Sequence, residues 1–354
     1  MVVHGLAKRG FKESLGKYIL PSLCIGCAAC VAVCPVECLE YVDGKPILSG
    51  ECISCGICSS VCPKYGSPAK EMEKAFFGRE RTMDEEFGIY RRVTIARTRN
   101  DDIQRVCQDG GVVTSLLLYA FEEGIIDGAI VSGRNEESPL KAYPKLAESA
   151  EEIIRSAGTR YTYSPNILLL KDAVARGKRS IGFVGTPCQI QAIRKIQAAS
   201  LRRYGEIVNF TIGIFCSGCF SYNGLVNELI RKKMGINPED VEKVNIKGEL
   251  IVKTLNEGAK TISLKEAKRY LSGCVSSCMD FSAELADISA GGLGLEGWTL
   301  TILRSEKGEA LFDGAVSKGL LEAKSVSKDS GLWKMLVRLS RRKRRRFVKN
   351  ITHF

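Results

Sequence analysis

The chain has 354 residues, 45% of them hydrophobic and 26% charged, with 15 cysteines and a net charge of +12. That composition excludes a disordered chain and leaves room for two domains. The longest uncharged stretch, residues 207–226, is broken by Asn, Thr, Ser, Tyr and Gly, so no membrane span is expected. The start "MVVHGLAKRGFKESLGKY" lacks the apolar core of a signal peptide, which points to the cytoplasm. So many cysteines in a reducing compartment argue for metal or redox chemistry rather than disulfides. His4 and His353 are the only histidines, so a Ser-His-Asp triad or a histidine zinc site is not expected. Any hydride or acid–base chemistry then belongs to a cofactor.

The first element is an internal repeat. "CIGCAACVAVCP" (24–35) and "CISCGICSSVCP" (52–63) both have the spacing C-x2-C-x2-C-x3-C-P. Three close thiolates wrap one iron–sulfur cube, while the fourth, before proline, reaches to the other cube. This assigns Cys24, Cys27, Cys30 and Cys62 to one [4Fe-4S] cluster, and Cys52, Cys55, Cys58 and Cys34 to a second. A zinc ribbon would not need two full copies with both prolines. Cys38 is read as a packed thiol. Residues 1–72 are therefore expected to form a bacterial-type two-cluster ferredoxin domain, which moves single electrons and selects no substrate.

The charged segment "KEMEKAFFGRERTMDEEFGIYRR" follows, and residues 73–91 read as a linker. From residue 92 strands and helices alternate. "VTIAR" reads as a strand, "VVTSLLLYAFEEG" as a helix and "GAIVSG" as a strand, with helices near 148–156 and 167–176. "SIGFVG" is a strand, a helix starts at Pro187, "IVNFTIGIF" is a strand, a helix starts at Tyr222, and "VEKVNIKGELIVKTL" reads as a hairpin. The expected fold class is α+β: the ferredoxin domain, then an α/β domain with a mixed sheet over residues 92–325. The order of its strands is not legible.

Three stretches of this domain suggest chemistry. "QDGGVVTS" (108–115) places two glycines before a helix whose first turn carries Thr114 and Ser115; it reads as an anion cradle or as a plain glycine turn. "AGTRYTYSPN" (157–166) gathers hydroxyls and two tyrosines, suited to lining a flavin or to building a turn. "GTPCQ" puts Thr186 at an N-cap and Pro187 at the first helical position, so Cys188 sits in the first turn, where the helix dipole favours a thiolate. Cys188 and Cys216 each follow an apolar strand, and Cys274 and Cys278 form a pair. These four suffice for a third cluster if they converge, and are inert packed thiols if they do not.

Residues 334–349 hold nine Lys/Arg and no acid; without them the chain carries 43 basic against 40 acidic residues. Residues 326–354 are expected to form a basic helix or tail that docks on an acidic subunit, touches an anionic membrane surface peripherally, or is simply solvated. No recognition motif supports nucleic-acid binding.

In order along the chain, "CQDGGVVTSLLLYAFEEGIIDGAIVSG", "AGTRYTYSPN", "GTPCQIQAIRKIQ", "IGIFC" and "CMDFSAELADISAGGLG" resemble the beta-subunit family of coenzyme F420 hydrogenases and dehydrogenases. The likeness covers about residues 92–305. It implies FAD, coenzyme F420 as substrate, and a third [4Fe-4S] cluster on Cys188, Cys216, Cys274 and Cys278. It implies flavin contacts from Gln108, Asp109, Gly110, Gly111, Thr114, Thr159, Tyr161, Ser164 and Thr186, with no catalytic side chain. The pair here is C-x3-C where the family usually has C-x2-C, and Cys219 stands at a usually polar position, so Cys219 is the alternative to Cys274. Cys107 reads as a packed neighbour of the flavin.

The implied function is hydride exchange with F420 through FAD, with single electrons passing over three clusters. The partner would be a hydrogenase, formate dehydrogenase, heterodisulfide reductase or F420H2 dehydrogenase complex. The alternatives are a reductase of the same family acting on another substrate, and an electron-transfer adaptor without flavin.

Overall fold

The computed structural model describes residues 9–66, 69–135, 138, 140–272 and 277–351. Cys274 lies outside the described residues. So do His4 and His353.

The sequence repeat is a backbone repeat. Gly26 and Ala28 have φ of 67° and 66°, and their counterparts Ser54 and Gly56 have 51° and 77°. Left-handed residues at both places turn the chain tightly enough for three cysteines to face one point, and small side chains keep the strain low. Helices Ala29–Ala32 and Ile57–Val61 start from Ala28 and Gly56. Between the copies, β1 (Leu39–Val42) and β2 (Lys45–Leu48) form an antiparallel hairpin. Its turn, Asp43-Gly44, has positive φ at both positions, the geometry that matches strand twist in two-residue hairpins.

The larger unit is built on an eight-stranded sheet. Its strands are β3 (Arg92–Thr98), β4 (Gly128–Arg134), β5 (Ala142–Ala147), β6 (Ile181–Gly185) and β7 (Val208–Ile214). After a three-stranded antiparallel meander, β8 (Val241–Lys247), β9 (Glu249–Thr254) and β10 (Gly258–Ser263), the sheet resumes with β11 (Ile288–Gly291), β12 (Thr299–Leu303) and β13 (Leu321–Ser325). The order is β13-β3-β12-β11-β7-β6-β4-β5. β11, β7, β6 and β4 run parallel, and the flanking pairs are antiparallel. The mixed sheet is thus as expected, and its parallel centre explains the unbroken apolar runs of "SIGFVG" and "NFTIGIF": both faces are covered. Helix Pro187–Ala198 buries Ile190, Ile193 and Ile196 on one side, and helix Val112–Glu122 buries Leu116, Leu117 and Ala120.

The segment expected as a linker is ordered and anchored. Helix Ala69–Phe77 opens it, Phe87 is fully buried, and Arg304, 1% exposed, donates to the carbonyl of Ile89 at 2.7 Å and to Ser289 Oγ at 2.7 Å. A buried guanidinium is tolerated when acceptors meet its donors, and here Ile89 of the strap supplies one while Ser289 and Ser282 supply the others. Helix Gly331–Ile351 packs on the same strap. Trp333 meets Phe87 edge-on at 5.1 Å, Arg341 pairs with Glu86, and Arg344 pairs with Glu284 at 2.6 Å. The basic tail is therefore an amphipathic helix with a buried face, including Leu336 at 0% exposure.

The ferredoxin unit docks on the helix that Thr186 opens. Ile25, Ala29, Val33 and Val61 join one apolar cluster with Ile190 and Ile193. Lys195, buried on that helix, donates to the carbonyls of Cys62 at 2.8 Å and Tyr65 at 2.7 Å.

Candidate functional site

In sheets of this kind ligands bind beyond the carboxyl ends of the parallel strands. Here those ends carry Ser132 of β4, Gly185 and Thr186 after β6, Ile214 of β7, and Ala290 to Gly292 of β11. All of them line one cleft with about 1100 Å³ of space, its solvent-filled mouth included. Val112, Val113 and Leu117 form its apolar floor, and Gln108, Asp109, Thr114 and Thr159 line it with polar groups.

Of the residues expected to contact a flavin, Gln108, Asp109, Gly111, Thr114, Thr159, Ser164 and Thr186 line this cleft. Gly110 and Tyr161 do not. Gly110 is wedged between strands, where a Cβ would meet Ala96 O at 2.5 Å and Thr299 N at 2.7 Å. Its N–H donates to Thr299 Oγ1 at 3.0 Å, so it fixes the loop to the sheet. Tyr161 points into the apolar core of the β8–β10 meander, because side chains alternate along the extended run in which Thr162 pairs with Phe220. Tyr163 is the tyrosine on the cleft wall.

Two donors in this cleft lack partners. Gln108 Nε2 and Arg160 Nε are buried without a hydrogen-bond partner among the described residues. Burial, with Arg134 nearby, pulls the Arg160 pKa down to about 10, so it remains a cation at neutral pH. Unsatisfied buried donors carry a desolvation penalty of roughly 1–3 kcal/mol each unless a ligand accepts from them. The donor set fits an anionic, hydrogen-bond-rich cofactor such as FAD. Gly111, at φ 70°, starts the Val112 helix, and the first-turn residues Val112, Val113 and Thr114 line the cleft.

Three sets of thiols follow. Thr186 N donates to Gln189 Oε1 at 3.0 Å and Pro187 occupies the first turn, as the sequence implies, so Cys188 is held at a helix start, buried and 3.1 Å from Thr186 Oγ1. Cys216, just beyond β7, lies with its Sγ 4.0 Å from that of Cys219, and Cys219 also lines the cleft. Cys278 Sγ is 3.7 Å from the carbonyl of Asp280. Lys343, on the C-terminal helix, is buried and donates to the carbonyl of Cys216. Burial opposes its charge, but the Cys216 and Cys278 thiols and Asp280 hold its pKa above the ordinary value. A hydrogen bond from Cys219 brings the Cys216 thiol down to about 6 against burial, with Lys343 assisting.

The other two sets stand where the repeat puts them. Cys24, Cys27, Cys30 and Cys62 line one small cavity. Cys34, Cys52, Cys55 and Cys58 line another, together with Cys38, whose Sγ is 3.5 Å from that of Cys34. Among the described residues no three Cys, His, Asp or Glu side chains close around a single ion; the thiols surround cavities instead. Burial raises the Cys27 and Cys30 thiols far above their ordinary range, a cost that binding iron as thiolates removes. The buried Tyr163 connects the sets: its hydroxyl lies 4.0 Å from Cys188 Sγ, and Cys27 acts on the same hydroxyl.

Two repeat-borne thiol sets docked on a unit with a cofactor-sized cleft are the parts of an iron–sulfur oxidoreductase. Residues 93–171 and 178–329 match the N-terminal and C-terminal models of the coenzyme F420 hydrogenase/dehydrogenase beta subunit, and residues 23–67 match a 4Fe-4S dicluster domain. The chain belongs to the coenzyme F420 hydrogenase/dehydrogenase beta-subunit family, a family of F420-dependent oxidoreductases. It is 39% identical to the coenzyme F420 hydrogenase subunit beta of Methanothermobacter thermautotrophicus over 269 residues, 75% of this chain and 95% of that one. It is 36% identical to the Methanococcus voltae subunit of the same name, over 75% of this chain and 95% of that one. Among solved structures it is similar to a chain of the F420-reducing [NiFe] hydrogenase complex from Methanosarcina barkeri, with a TM-score of 0.73 and 32% identity, over 77% of this chain and 95% of that chain.

Arg160, Tyr163, Lys195 and Lys343 were not among the residues expected from the sequence. A charged residue inside an otherwise apolar helical face, as Lys195 is in "AIRKIQ", is the one signal that was present.

Proposed function

We propose that this chain exchanges a hydride with coenzyme F420 through FAD held in the cleft, and relays single electrons through three [4Fe-4S] clusters to or from a partner redox subunit. The observation that carries this is a chain of neighbours: Cys219 on the cleft wall beside Cys216, Tyr163 on the same cleft touching Cys188, and Cys27 of the first repeat set acting on the Tyr163 hydroxyl. A flavin accepts hydride pairs and releases single electrons, so it belongs between a two-electron substrate and cubane clusters.

The chain's own residues bind, orient and insulate. Gln108 and Arg160 supply the unpaired donors, and the apolar floor of Val112, Val113 and Leu117 excludes water from one side. Asp109 is held above the ordinary carboxyl range by burial, while Lys247 and Lys243 pull it back. Cys188, Cys216 and Cys278, with Cys219 or Cys274 as the fourth, would hold the cluster nearest the cleft. Lys343 offsets part of that cluster's negative charge.

The deciding experiment is anaerobic isolation, assay of iron, sulfide and flavin, and mixing with F420 and a viologen dye. About twelve iron per FAD, the content of three cubes, with F420-coupled dye turnover, is the expected result. Flavin without F420 turnover would favour a relative acting on another substrate, and no flavin would favour an electron-transfer adaptor. Arg160→Met should weaken FAD retention about tenfold, because one hydrogen bond from a charged donor contributes about 1.5–3 kcal/mol. The flavin-to-protein ratio after gel filtration reads this directly, and iron content should not change.

A further inference from the structure

A second cavity lies on the other side of the Cys216–Phe220 segment. It is larger than the cleft, about 2530 Å³ with its solvent-filled mouth, and among the described residues it is lined from two sides. One wall is the segment Leu264–Leu271 of the small subdomain; the other is helix Gly331–Ile351.

Lys334, Arg338, Arg342 and Arg346 line this groove. They recur every four residues, so they form a single stripe along the helix. At 1.5 Å per residue the stripe is about 18 Å long. All four are exposed, and none has an ion pair among the described residues. Arg341, which also lines the groove, is paired with Glu86, and Arg344, which does not, is paired with Glu284. Lys268 faces Arg342 and Arg346 from the opposite wall, so like charges meet across the groove with no acid between them. Leu264, Leu271 and Val337 give the groove apolar patches.

We propose that this groove is the docking site for an acidic polypeptide segment of the electron-transfer partner. A linear run of cations at helical spacing, facing a second wall, matches carboxylates displayed along an inserted strand or helix. A membrane would require these charges on an outward-turned surface. Ser217 and Gly218, next to Cys216, form one end of the groove, so a segment seated there brings its subunit against the thiols nearest the cleft. The choice of an electron-transfer partner rests on the function proposed above; the binding site itself does not.

The test uses the full chain, isolated anaerobically, and fluorescein-labelled poly-L-glutamate read by anisotropy. Binding is expected at low salt and should weaken as salt rises. Arg342→Glu/Arg346→Glu should lower affinity by about tenfold or more, since complementary charge pairs are lost and like charges replace them. Arg202→Glu/Arg203→Glu, an equal charge change on an exposed helix elsewhere, should leave it within about twofold. Equal weakening by both variants would overturn the proposal, leaving only net charge at work. It would also fall if phosphatidylserine vesicles bound in a groove-dependent way while poly-L-glutamate did not. A tenfold rise in the KM for F420 in the groove variant, with poly-L-glutamate binding unchanged, would assign the groove to the cofactor instead. Because poly-L-glutamate binding needs no turnover, failure of the F420 assay and failure of the groove are separate results.

Discussion

Cys188→Ser should lower the iron content from about twelve to about eight per chain and leave both ferredoxin cubes in place. Cys188 is buried at the start of its helix, wedged by Thr186 and Tyr163, and no other described cysteine shares that position. A serine hydroxyl keeps the volume but is a poor iron ligand at neutral pH, since its proton stays on. F420-coupled dye reduction should fall at least about a hundredfold, because a relay with one site missing has no short route. FAD content should stay the same, since Thr186 and the Gly111 turn are untouched. Cys38→Ser is the matching control and should lose no iron. Twelve irons retained in the Cys188 variant would remove Cys188 from the ligands of the third cluster.

The second large effect is on stability. Arg194 and Asp287 form a buried pair at 3.0 Å, with side chains 7% and 8% exposed. Asp287 also accepts from Thr211 N at 2.8 Å, Thr211 Oγ1 at 2.9 Å and Ser305 Oγ at 2.7 Å, while Arg194 donates to Leu285 O at 2.8 Å. The pair thereby fastens the Pro187–Ala198 helix to β7 and to the entry of β11, the strands whose ends form the cleft. Asp287→Asn leaves a buried guanidinium without its counter-charge, a loss of about 3–5 kcal/mol. The urea midpoint followed by far-UV circular dichroism should drop accordingly.

The pH dependence of this effect has a definite sign. Burial pushes the Asp287 carboxyl up, but Arg194, Ser305 and Thr211 outweigh it, so its pKa lies below the ordinary value. A carboxyl depressed on folding contributes stability that is complete above its unfolded pKa, about 3.9, and fades as pH falls through the lower folded value. The gap between wild type and Asp287→Asn should therefore be constant from pH 8 to about pH 5 and narrow only below about pH 4. A gap that already shrinks near neutrality would contradict a depressed carboxyl.

Local chemistry was legible in the sequence, and long-range pairing was not. The C-x2-C-x2-C repeat predicts its own backbone, because the left-handed turns fall on Gly26, Ala28, Ser54 and Gly56 for reasons contained within each copy. Thr186-Pro187 states a helix start in two residues. By contrast β11, β12 and β13 are short, and their partners lie far away in the chain: β11 beside β7, and β12 and β13 flanking β3. No short window carries that information. The strap around Phe87 reads as a linker because its charges dominate its composition, yet many of them are paired, Arg79 with Glu85 and Arg81 with Glu73 within the segment, and Arg81 also with Glu284 of a distant element. The same masking hid Lys343, which among the described cations of that basic run is the buried one.

Lys343 reaches a carbonyl 127 residues earlier in the chain. Every described thiol is therefore translated before the helix that covers Cys216. During synthesis the ferredoxin repeats emerge first, the Cys188–Cys278 region next, and the covering helix after both. If the inner thiols hold the proposed third cluster, their side of the site is made before the helix that covers it. The helix that covers Cys216 is thus the last described element to leave the ribosome, and the Lys343 contact is the last of these to form.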